Sequence, residues 1–177
     1  MKLFEHQKNA LKLSEGLNRV AYYHDMGLGK TFTGAEKMMK LGRCANLVIC
    51  QKSKIQDWKN HFETYYPDVL RFDLTNKNAL DGFLHVCSLN MVSVGFINYE
   101  LAWRRPELLN LRDFTLLLDE SSLIQNRKAK QTKFVLKLQP ANVILLSGTP
   151  TAGKYENLWT QLHLLGWEIS ESAYNAQ

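Results

Sequence analysis

Short apolar runs recur along the chain and alternate with longer amphipathic stretches. The runs have the length of strands and are Val20–Tyr23, Asn46–Cys50, Leu70–Leu74, Val92–Ile97, Phe114–Leu118 and Asn142–Leu146. Several are apolar at nearly every position, which is typical of strands that are buried on both faces of a sheet. The pattern therefore predicts a core of parallel strands.

The amphipathic stretches between these runs predict helices. They are Phe4 to about Glu15, Phe32–Leu41, Ile55–Tyr65, a segment near Leu101 continuing through Pro106–Leu111, Lys128–Leu138 and Tyr155–Leu165. The stretch from Asn76 to Asn90 is ambiguous. Because helices alternate with strands, we expect an α/β fold: a mostly parallel sheet with helices on both faces. In such sheets ligands bind at the carboxyl ends of the strands.

The composition fits one intracellular domain that spans residues 1–177. The chain has 45% hydrophobic residues, and its three cysteines lack the spacing of a zinc site or a disulfide framework. We expect them to be buried thiols in a reducing compartment. The chain carries no pattern of a secretory signal, and its apolar runs are too short to cross a membrane. A net charge of +5 favours a polyanionic partner.

A glycine-rich loop, His24–Thr31, lies between a strand-like and a helix-like run. This is the context of a phosphate-binding loop, although His24 stands where the strict pattern has glycine. Gly27, Leu28 and Gly29 would turn the backbone so that its N–H groups point at phosphate oxygens. Lys30 would reach the β- and γ-phosphates, and the hydroxyl of Thr31 would bind Mg²⁺. An ordinary turn is the alternative interpretation.

Two further polar motifs follow apolar strands. Asp119 and Glu120 come directly after Leu116–Leu118, and two carboxylates at the end of a buried strand are costly unless a cation or water compensates them. Asp119 would hold Mg²⁺ and Glu120 would activate a water molecule, whereas the alternative is that both cap the next helix. The second motif, Ser147–Pro150, is by itself an ordinary exit from a strand.

Together these motifs resemble the superfamily 2 helicases and translocases, most closely the Swi/Snf-type ATPases. The resemblance covers nearly the whole chain as the first, N-terminal RecA-like P-loop NTPase lobe. The similar segments, in family order, are Phe4–Lys8 (Q motif), His24–Thr31 (motif I), Leu47–Trp58 (motif Ia), Gly95–Glu100 (a later track-facing segment), Asp119–Ser122 (motif II), Ser147–Pro150 (motif III) and Asn157–Leu165 (the helix after it).

The resemblance implies ATP and Mg²⁺ as cofactors and DNA, mainly double-stranded and read without sequence preference, as the partner. It assigns adenine recognition to Gln7 and the coupling of the ATP site to motion to Ser147, Gly148 and Thr149. It places Lys52, Lys54 and Tyr99 on the nucleic-acid track, although the residues alone leave Tyr99 undecided between track and core. The catalytic residues that it implies are Lys30, Asp119 and Glu120.

Three departures from the family pattern affect these expectations. Ser122 stands where motif II commonly ends in histidine, which leaves the coupling to motif III open, and a proline is absent near Gln51. The second lobe, which supplies catalytic arginines, has no counterpart after Trp167. Because such an arginine contributes ~10³–10⁵ in rate, we expect this lobe alone to be nearly inactive as a DNA-dependent ATPase.

Two other functions compete with this interpretation. A non-catalytic, nucleotide-dependent nucleic-acid-binding or regulatory module would use the same loop. A small P-loop kinase is disfavoured because it would leave Gln7 and Ser147–Pro150 unexplained. Two further features have simpler explanations: Trp58 and Phe62, four residues apart on one helix, fit core packing, and the lysines of residues 127–137 fit a solvated surface.

Overall fold

A computed structural model describes residues 3–25, 27–151 and 153–175 of the chain. Its strands are β1 (Arg19–Tyr23), β2 (Ala45–Cys50), β3 (Leu70–Asp73), β4 (Ser93–Asn98), β5 (Phe114–Asp119) and β6 (Asn142–Ser147). Its α-helices are α1 (Glu5–Leu13), α2 (Lys30–Lys40), α3 (Ile55–Tyr65), α4 (Lys77–Ser88), α5 (Tyr99–Ala102), α6 (Lys130–Val135), α7 (Trp159–Leu164) and α8 (Glu171–Asn175). Short 3₁₀ helices cover Lys52–Lys54, Pro106–Asn110, Ser121–Ile124 and Tyr155–Leu158.

The six strands form one sheet in the order β1-β6-β5-β2-β4-β3, and every neighbouring pair is parallel. Strands β2, β4 and β6 are buried at all six positions, as expected for strands covered on both faces. The predicted α/β fold with a parallel sheet is thus confirmed.

Helices cover both faces of the sheet and enclose two apolar cores. Helices α1, α2 and α3 pack on one face through residues such as Leu11, Met38 and Phe62. Helices α4 to α7 pack on the other through residues such as Phe83 and Phe134. Side chains alternate between the cores along each strand, because successive residues of a strand point to opposite faces.

Strand β6 lies between β1 and β5 and brings three strand ends together. Tyr23, the last residue of β1, is in register with Ser147, and Asp119, the last residue of β5, is in register with Leu146. Because all three strands are parallel, the segments that follow them leave from the same edge of the sheet. This arrangement joins motifs that are far apart in the sequence.

Several predicted elements differ from the observed ones. The ambiguous stretch after Asn76 is the helix α4, and the predicted helix Lys128–Leu138 is shorter than expected, since α6 covers only Lys130–Val135. The predicted helix Tyr155–Leu165 is divided into a 3₁₀ turn and α7. Helix α8 follows it and was not predicted.

The cysteines are free thiols, but only one of the three is buried. Cys50 lies in the core, and burial together with the nearby Asp119 carboxylate raises its pKa to about 12. Cys44 and Cys87 are half-buried, which corrects the expectation that all three are buried. None of the helices in the described ranges is both long and apolar enough to span a bilayer.

Candidate active site

The glycine-rich loop connects β1 to α2 through two residues with left-handed backbone conformation. Gly27 has φ of 85° and Gly29 has φ of 70°, values that side chains other than glycine rarely adopt. The carbonyl of Gly29 accepts hydrogen bonds from the backbone N–H groups of Phe32 and Thr33. Helix α2 therefore begins at Lys30, with its positive end toward the loop, as a phosphate-binding loop requires.

Gln7 supports this loop from helix α1. Its side chain is only 2% exposed, and its Nε2 donates to the carbonyl oxygens of Leu28 and Gly29, at 3.2 Å each. A Cβ atom on Gly29 would lie 2.5 Å from the same nitrogen, so the contact requires glycine there. His6 adds a contact of 3.0 Å between its Nε2 and the carbonyl of Leu28. Adenine recognition by Gln7 stays a prediction.

Lys30 lies at the start of α2 with its ammonium group over the loop. The Nζ atom donates to the carbonyl oxygens of His24 (2.9 Å) and Asp25 (3.2 Å). The pKa of His24 is lowered, first by burial and then by the positive charges of His6 and Lys30. Thr31 follows in the first turn of α2.

Asp119 ends β5 at the same edge of the sheet. Its Oδ2 accepts a hydrogen bond of 2.8 Å from the indole N–H of Trp58 on α3. Burial raises the pKa of this carboxyl group, whereas the Trp58 hydrogen bond and the nearby charge of Lys30 lower it. Lys30 and Asp119 thus lie at the same edge of the sheet, near enough for the charge of Lys30 to act on the carboxyl group of Asp119.

The two predicted metal ligands have the chemistry that Mg²⁺ prefers. The hydroxyl of Thr31 and the carboxylate of Asp119 are hard oxygen ligands, which Mg²⁺ combines with water and substrate phosphates. A cation beside Asp119 would offset the desolvation that raises the pKa of its carboxyl group. Within the described part of the chain, His, Cys, Asp and Glu side chains do not form a metal-binding group of three or more.

Glu120 follows Asp119 in an unusual backbone conformation. Its φ of 55° lies in the left-handed region, where non-glycine residues are uncommon. Its Oε1 accepts hydrogen bonds from the hydroxyl groups of Ser122 (2.7 Å) and Ser147 (2.6 Å), and Ser147 Oγ accepts from the Thr149 N–H (3.1 Å). Ser147 therefore joins motif III to motif II through Glu120, and Ser122, which stands where the family commonly has histidine, donates to the same carboxylate oxygen.

The residues predicted for the nucleic-acid track fall into two groups. Lys52 and Lys54 form an exposed 3₁₀ turn after β2, and Lys54 pairs with Asp57 (3.0 Å). Tyr99, in contrast, is 1% exposed, and its hydroxyl donates to the carbonyl of Asp119 (2.9 Å). Its prediction as a track residue is corrected, because a side chain buried beneath motif II has no surface to offer a nucleic acid.

A cleft of about 560 Å³ opens beside Lys52 at the carboxyl ends of β2, β3 and β4. Its lining carries charges of both signs, from Lys52 and Arg104 and from Asp73 and Glu100. Part of its lining belongs to the two segments that were predicted to face the nucleic-acid track, Leu47–Trp58 and Gly95–Glu100.

Sequence reasoning missed two polar contacts of the site. Trp58 packs in the core as expected, but the spacing that predicted its packing carries no sign of its hydrogen bond to Asp119. Gln161 on α7 is fully buried, and its side chain contacts residues that follow or end three different strands. No local sequence pattern predicts that Gln161 is buried, because a glutamine in an amphipathic helix is usually expected at the surface.

Comparisons with known proteins agree with this geometry. A family described as the SNF2-related domain matches residues 6–175. Over 95% of its length the chain is 29% identical to a SWI/SNF-related matrix-associated actin-dependent regulator of chromatin subfamily A-like protein 1 homolog of Caenorhabditis elegans, of which it covers 25%. It is also 29% identical to the putative ATP-dependent helicase/translocase YwqA of Bacillus subtilis, over 77% of the chain and 15% of that protein.

A solved structure gives the same fold. The Sulfolobus solfataricus SWI2/SNF2 ATPase core in complex with dsDNA superposes with a TM-score of 0.82 at 22% identity, over 99% of this chain and 38% of that one. The chain thus spans a quarter or less of these two sequence relatives and about two fifths of the structural one.

Proposed function

Since this chain belongs to the SNF2-related family, we propose that it is the ATP-binding lobe of a DNA translocase. When joined to a second RecA-like lobe, it couples ATP hydrolysis to movement on double-stranded DNA. One observation carries the proposal: the loop before Lys30 follows β1, Asp119 ends β5 and Glu120 follows it at the same edge of the sheet, and Glu120 is hydrogen-bonded to Ser147 at the end of β6 between them.

Each residue of the candidate site has a separate role in this mechanism. The N–H groups of the glycine loop and the positive end of α2 bind the phosphates, and Lys30 exchanges its carbonyl partners for phosphate oxygens. Thr31 and Asp119 hold Mg²⁺, which supplies positive charge against the phosphates when bound. Glu120 orients and deprotonates the attacking water, and its bonds to Ser122 and Ser147 fix the carboxylate in place.

The nucleic-acid side of the proposal rests on charge and position. The chain has a net charge of +5, and the exposed Lys52, Lys54 and Arg104 lie at the same edge of the sheet as the nucleotide site. Contacts from such residues to phosphates provide affinity without base recognition. DNA of any sequence is therefore the proposed partner, which agrees with the dsDNA named in the related archaeal structure.

Binding of a fluorescent ATP analogue in the presence of Mg²⁺ tests the nucleotide site. Lys30→Ala removes a charged donor to the phosphates, so we expect about tenfold weaker binding or worse. Lys128→Ala, which removes an exposed lysine before α6, is the matched control and should bind as the wild type does. Equal binding by the Lys30→Ala and wild-type proteins contradicts the proposal.

Glu120→Gln separates a motor from a non-catalytic module. In a protein that contains both lobes, this change should abolish ATP turnover and leave nucleotide binding intact, because only the base is lost. If turnover is unchanged, Glu120 is not the base. If the unmodified two-lobed protein has no turnover at all, the regulatory module is favoured instead.

A further inference from the structure

A buried glutamine on α7 joins three segments of the site that are far apart in sequence. We propose that Gln161 is a positioning residue that transmits the state of the nucleotide site to motif III, Ser147–Pro150. This inference rests on the proposed function, since it concerns how the same site communicates with the rest of the lobe.

The side chain of Gln161 makes three hydrogen bonds to segments that are far apart in the sequence. Its Oε1 accepts from the hydroxyl groups of Tyr23 (3.0 Å) and Ser121 (2.6 Å), and its Nε2 donates to the carbonyl oxygen of Pro150 (2.9 Å). Tyr23 is the last residue of the strand that leads into the glycine loop, and Ser121 directly follows Glu120. One side chain therefore touches the segments of motif I, motif II and motif III.

The chemistry of the three partners fixes the orientation of this amide. A carbonyl oxygen can only accept, so the NH₂ group must face Pro150, and the side-chain oxygen then uses both lone pairs for the two hydroxyl groups. Gln161 is fully buried, where an unpaired polar group would be costly. Glutamate would lose the donor, and an apolar residue would lose all three bonds.

The contacts close a ring around the turn between Glu120 and Ser121. Glu120 bonds to Ser147, and Ser147 is three residues before Pro150 in the same segment. From Pro150 the ring returns through Gln161 to Ser121. A displacement of Glu120 by bound nucleotide is therefore shared by Ser147–Pro150, since both ends of that segment are linked to motif II: Ser147 through Glu120, and Pro150 through Gln161 and Ser121.

A second amide strengthens the junction at Pro150. Gln125, at the end of the 3₁₀ turn after motif II, donates through Nε2 to the same carbonyl (2.9 Å). Pro150 is thus held by two side chains, Gln125 after the 3₁₀ turn and Gln161 on α7. Since Gln125 contacts neither Tyr23 nor Ser121 through any hydrogen bond of the described residues, Gln161 is the member of the pair that also reaches the segment preceding the glycine loop.

Hydrogen exchange of the 177-residue chain tests the inference. We would measure exchange of the Gly148, Thr149 and Thr151 amides with and without a saturating, non-hydrolysable ATP analogue and Mg²⁺. We expect the analogue to slow exchange in the wild type by at least about fivefold, the lower end of typical coupling. In Gln161→Met, which preserves length and volume, the slowing should fall to about twofold or less although the analogue still binds.

Thr115→Val provides a matched control. It removes a hydrogen bond of 3.1 Å between two buried side chains, Asn142 Nδ2 and Thr115 Oγ1. Both residues lie at the starts of β6 and β5, at the edge of the sheet opposite the candidate site. Thr115→Val should cause a comparable loss of stability, but Thr115 does not contact the site. We therefore expect the analogue to slow amide exchange in this variant as much as in the wild type. If Thr115→Val also abolishes the slowing, general destabilisation explains the effect and the inference fails.

The other outcomes are equally decisive. If Gln161→Met keeps the wild-type slowing, or if the wild type binds the analogue without any slowing, Gln161 does not transmit the nucleotide state, although the proposed function stands. If the wild type does not bind the analogue, the proposed function fails and the inference with it. If Gln161→Met does not fold, Tyr23→Phe decides: it removes one hydroxyl group and should reduce the slowing, whereas unchanged slowing overturns the inference.

Discussion

Individual buried polar side chains hold the reactive groups of this lobe in place. Trp58 fixes the Asp119 carboxylate from α3, and Gln7 fixes the glycine loop from α1. In each case a buried side chain on a helix reaches a segment at the edge of the sheet where the strands end. A pre-positioned carboxylate costs less to reorganise when a cation and phosphates bind beside it.

Trp58→Phe should lower the free energy of unfolding by about 1.5–3 kcal/mol from the lost bond to a carboxylate, plus a contribution from the smaller ring. Urea unfolding measures the change. Trp159→Phe is the matched control, because its indole N–H donates to a neutral acceptor, the carbonyl of Ile169 (3.0 Å), in a half-buried position. Equal losses in the two variants would contradict a special contribution of the Asp119 contact.

His61 should make the protein less stable in mild acid. It is buried among aromatic rings on α3, and burial lowers its pKa to about 4. One of these rings, Tyr66, donates a hydrogen bond from its hydroxyl group to the carboxylate of Glu36. Because the folded pKa lies below the unfolded value of about 6.5, the stabilisation is full above pH 6.5 and is lost as the pH falls toward 4, by at most about 3 kcal/mol.

Urea unfolding at pH 7.5 and at pH 4.5 measures this effect. His61→Phe should reduce the difference between the two values, since the variant has no imidazole to protonate. His85→Gln, at an exposed position of α4, should leave the difference unchanged. A His61→Phe protein with the wild-type pH dependence would show that another group is responsible.

Residues within contiguous motifs could be predicted from the sequence, whereas isolated ones could not. Lys30, Asp119 and Glu120 stand in local patterns of strand, turn and helix that carry chemical meaning. The partner of Trp58 lies 61 positions away and the Ser121 partner of Gln161 lies 40 positions away. Tyr99 was misplaced for the same reason, because only the folded chain brings its hydroxyl group to the backbone carbonyl of Asp119, 20 positions away.

Among the secondary-structure elements, strands were predicted more accurately than helices. Runs of buried apolar residues located all six strands to within one or two residues, because both faces of each central strand demand hydrophobic side chains. Helix α4 was missed because Gly82 and a polar start weaken its pattern. In the structure the Asn76 side chain caps it by accepting from the Asn78 N–H (2.9 Å), and Leu80 and Phe83 bury its inner face.

Two helical glycines should respond with opposite signs to the same change. A Cβ atom on Gly34 of α2 would lie 2.9 Å from Leu146 Cδ1 and 3.1 Å from Leu117 Cδ1, both of which are buried side chains of the sheet. Gly34→Ala should therefore destabilise the protein by about 1–3 kcal/mol despite the better helix propensity of alanine.

Gly82→Ala in α4 is the counterpart. Its Cβ atom would approach the ring of Phe72 no closer than 3.4 Å, an ordinary van der Waals contact. We expect a gain of about 0.5–1 kcal/mol from helix propensity. Thermal unfolding of both variants checks the prediction, and a stabilised Gly34→Ala protein would show that α2 can move away from the sheet.

On the scale of the whole molecule, the order of the strands determines what the site contains. Placing β6 between β1 and β5 puts motif III between the loop and the acid pair. The sequence predicts the strands and the motifs but not their lateral order, because that order depends on which faces the helices cover.

The 177-residue chain by itself should show negligible DNA-stimulated ATP turnover. An arginine from a second lobe accelerates related phosphoryl transfers by about 10³–10⁵, and directional movement requires two lobes that open and close. Phosphate release with and without duplex DNA is the measurement. Robust stimulated turnover by the purified chain would refute the assignment of half the catalytic site to another lobe.

The bonds of Lys30 to its own backbone have a consequence for affinity. An incoming triphosphate competes with the carbonyl groups of His24 and Asp25 for the same ammonium. The contribution of Lys30 to the free energy of binding is thus the difference between its hydrogen bonds to phosphate oxygens and its hydrogen bonds to these two carbonyl groups. Under the proposed function, a ligand without the γ-phosphate still reaches Lys30 through its β-phosphate but offers fewer oxygen acceptors, so we expect it to replace the internal bonds of Lys30 less fully and to bind more weakly than a triphosphate.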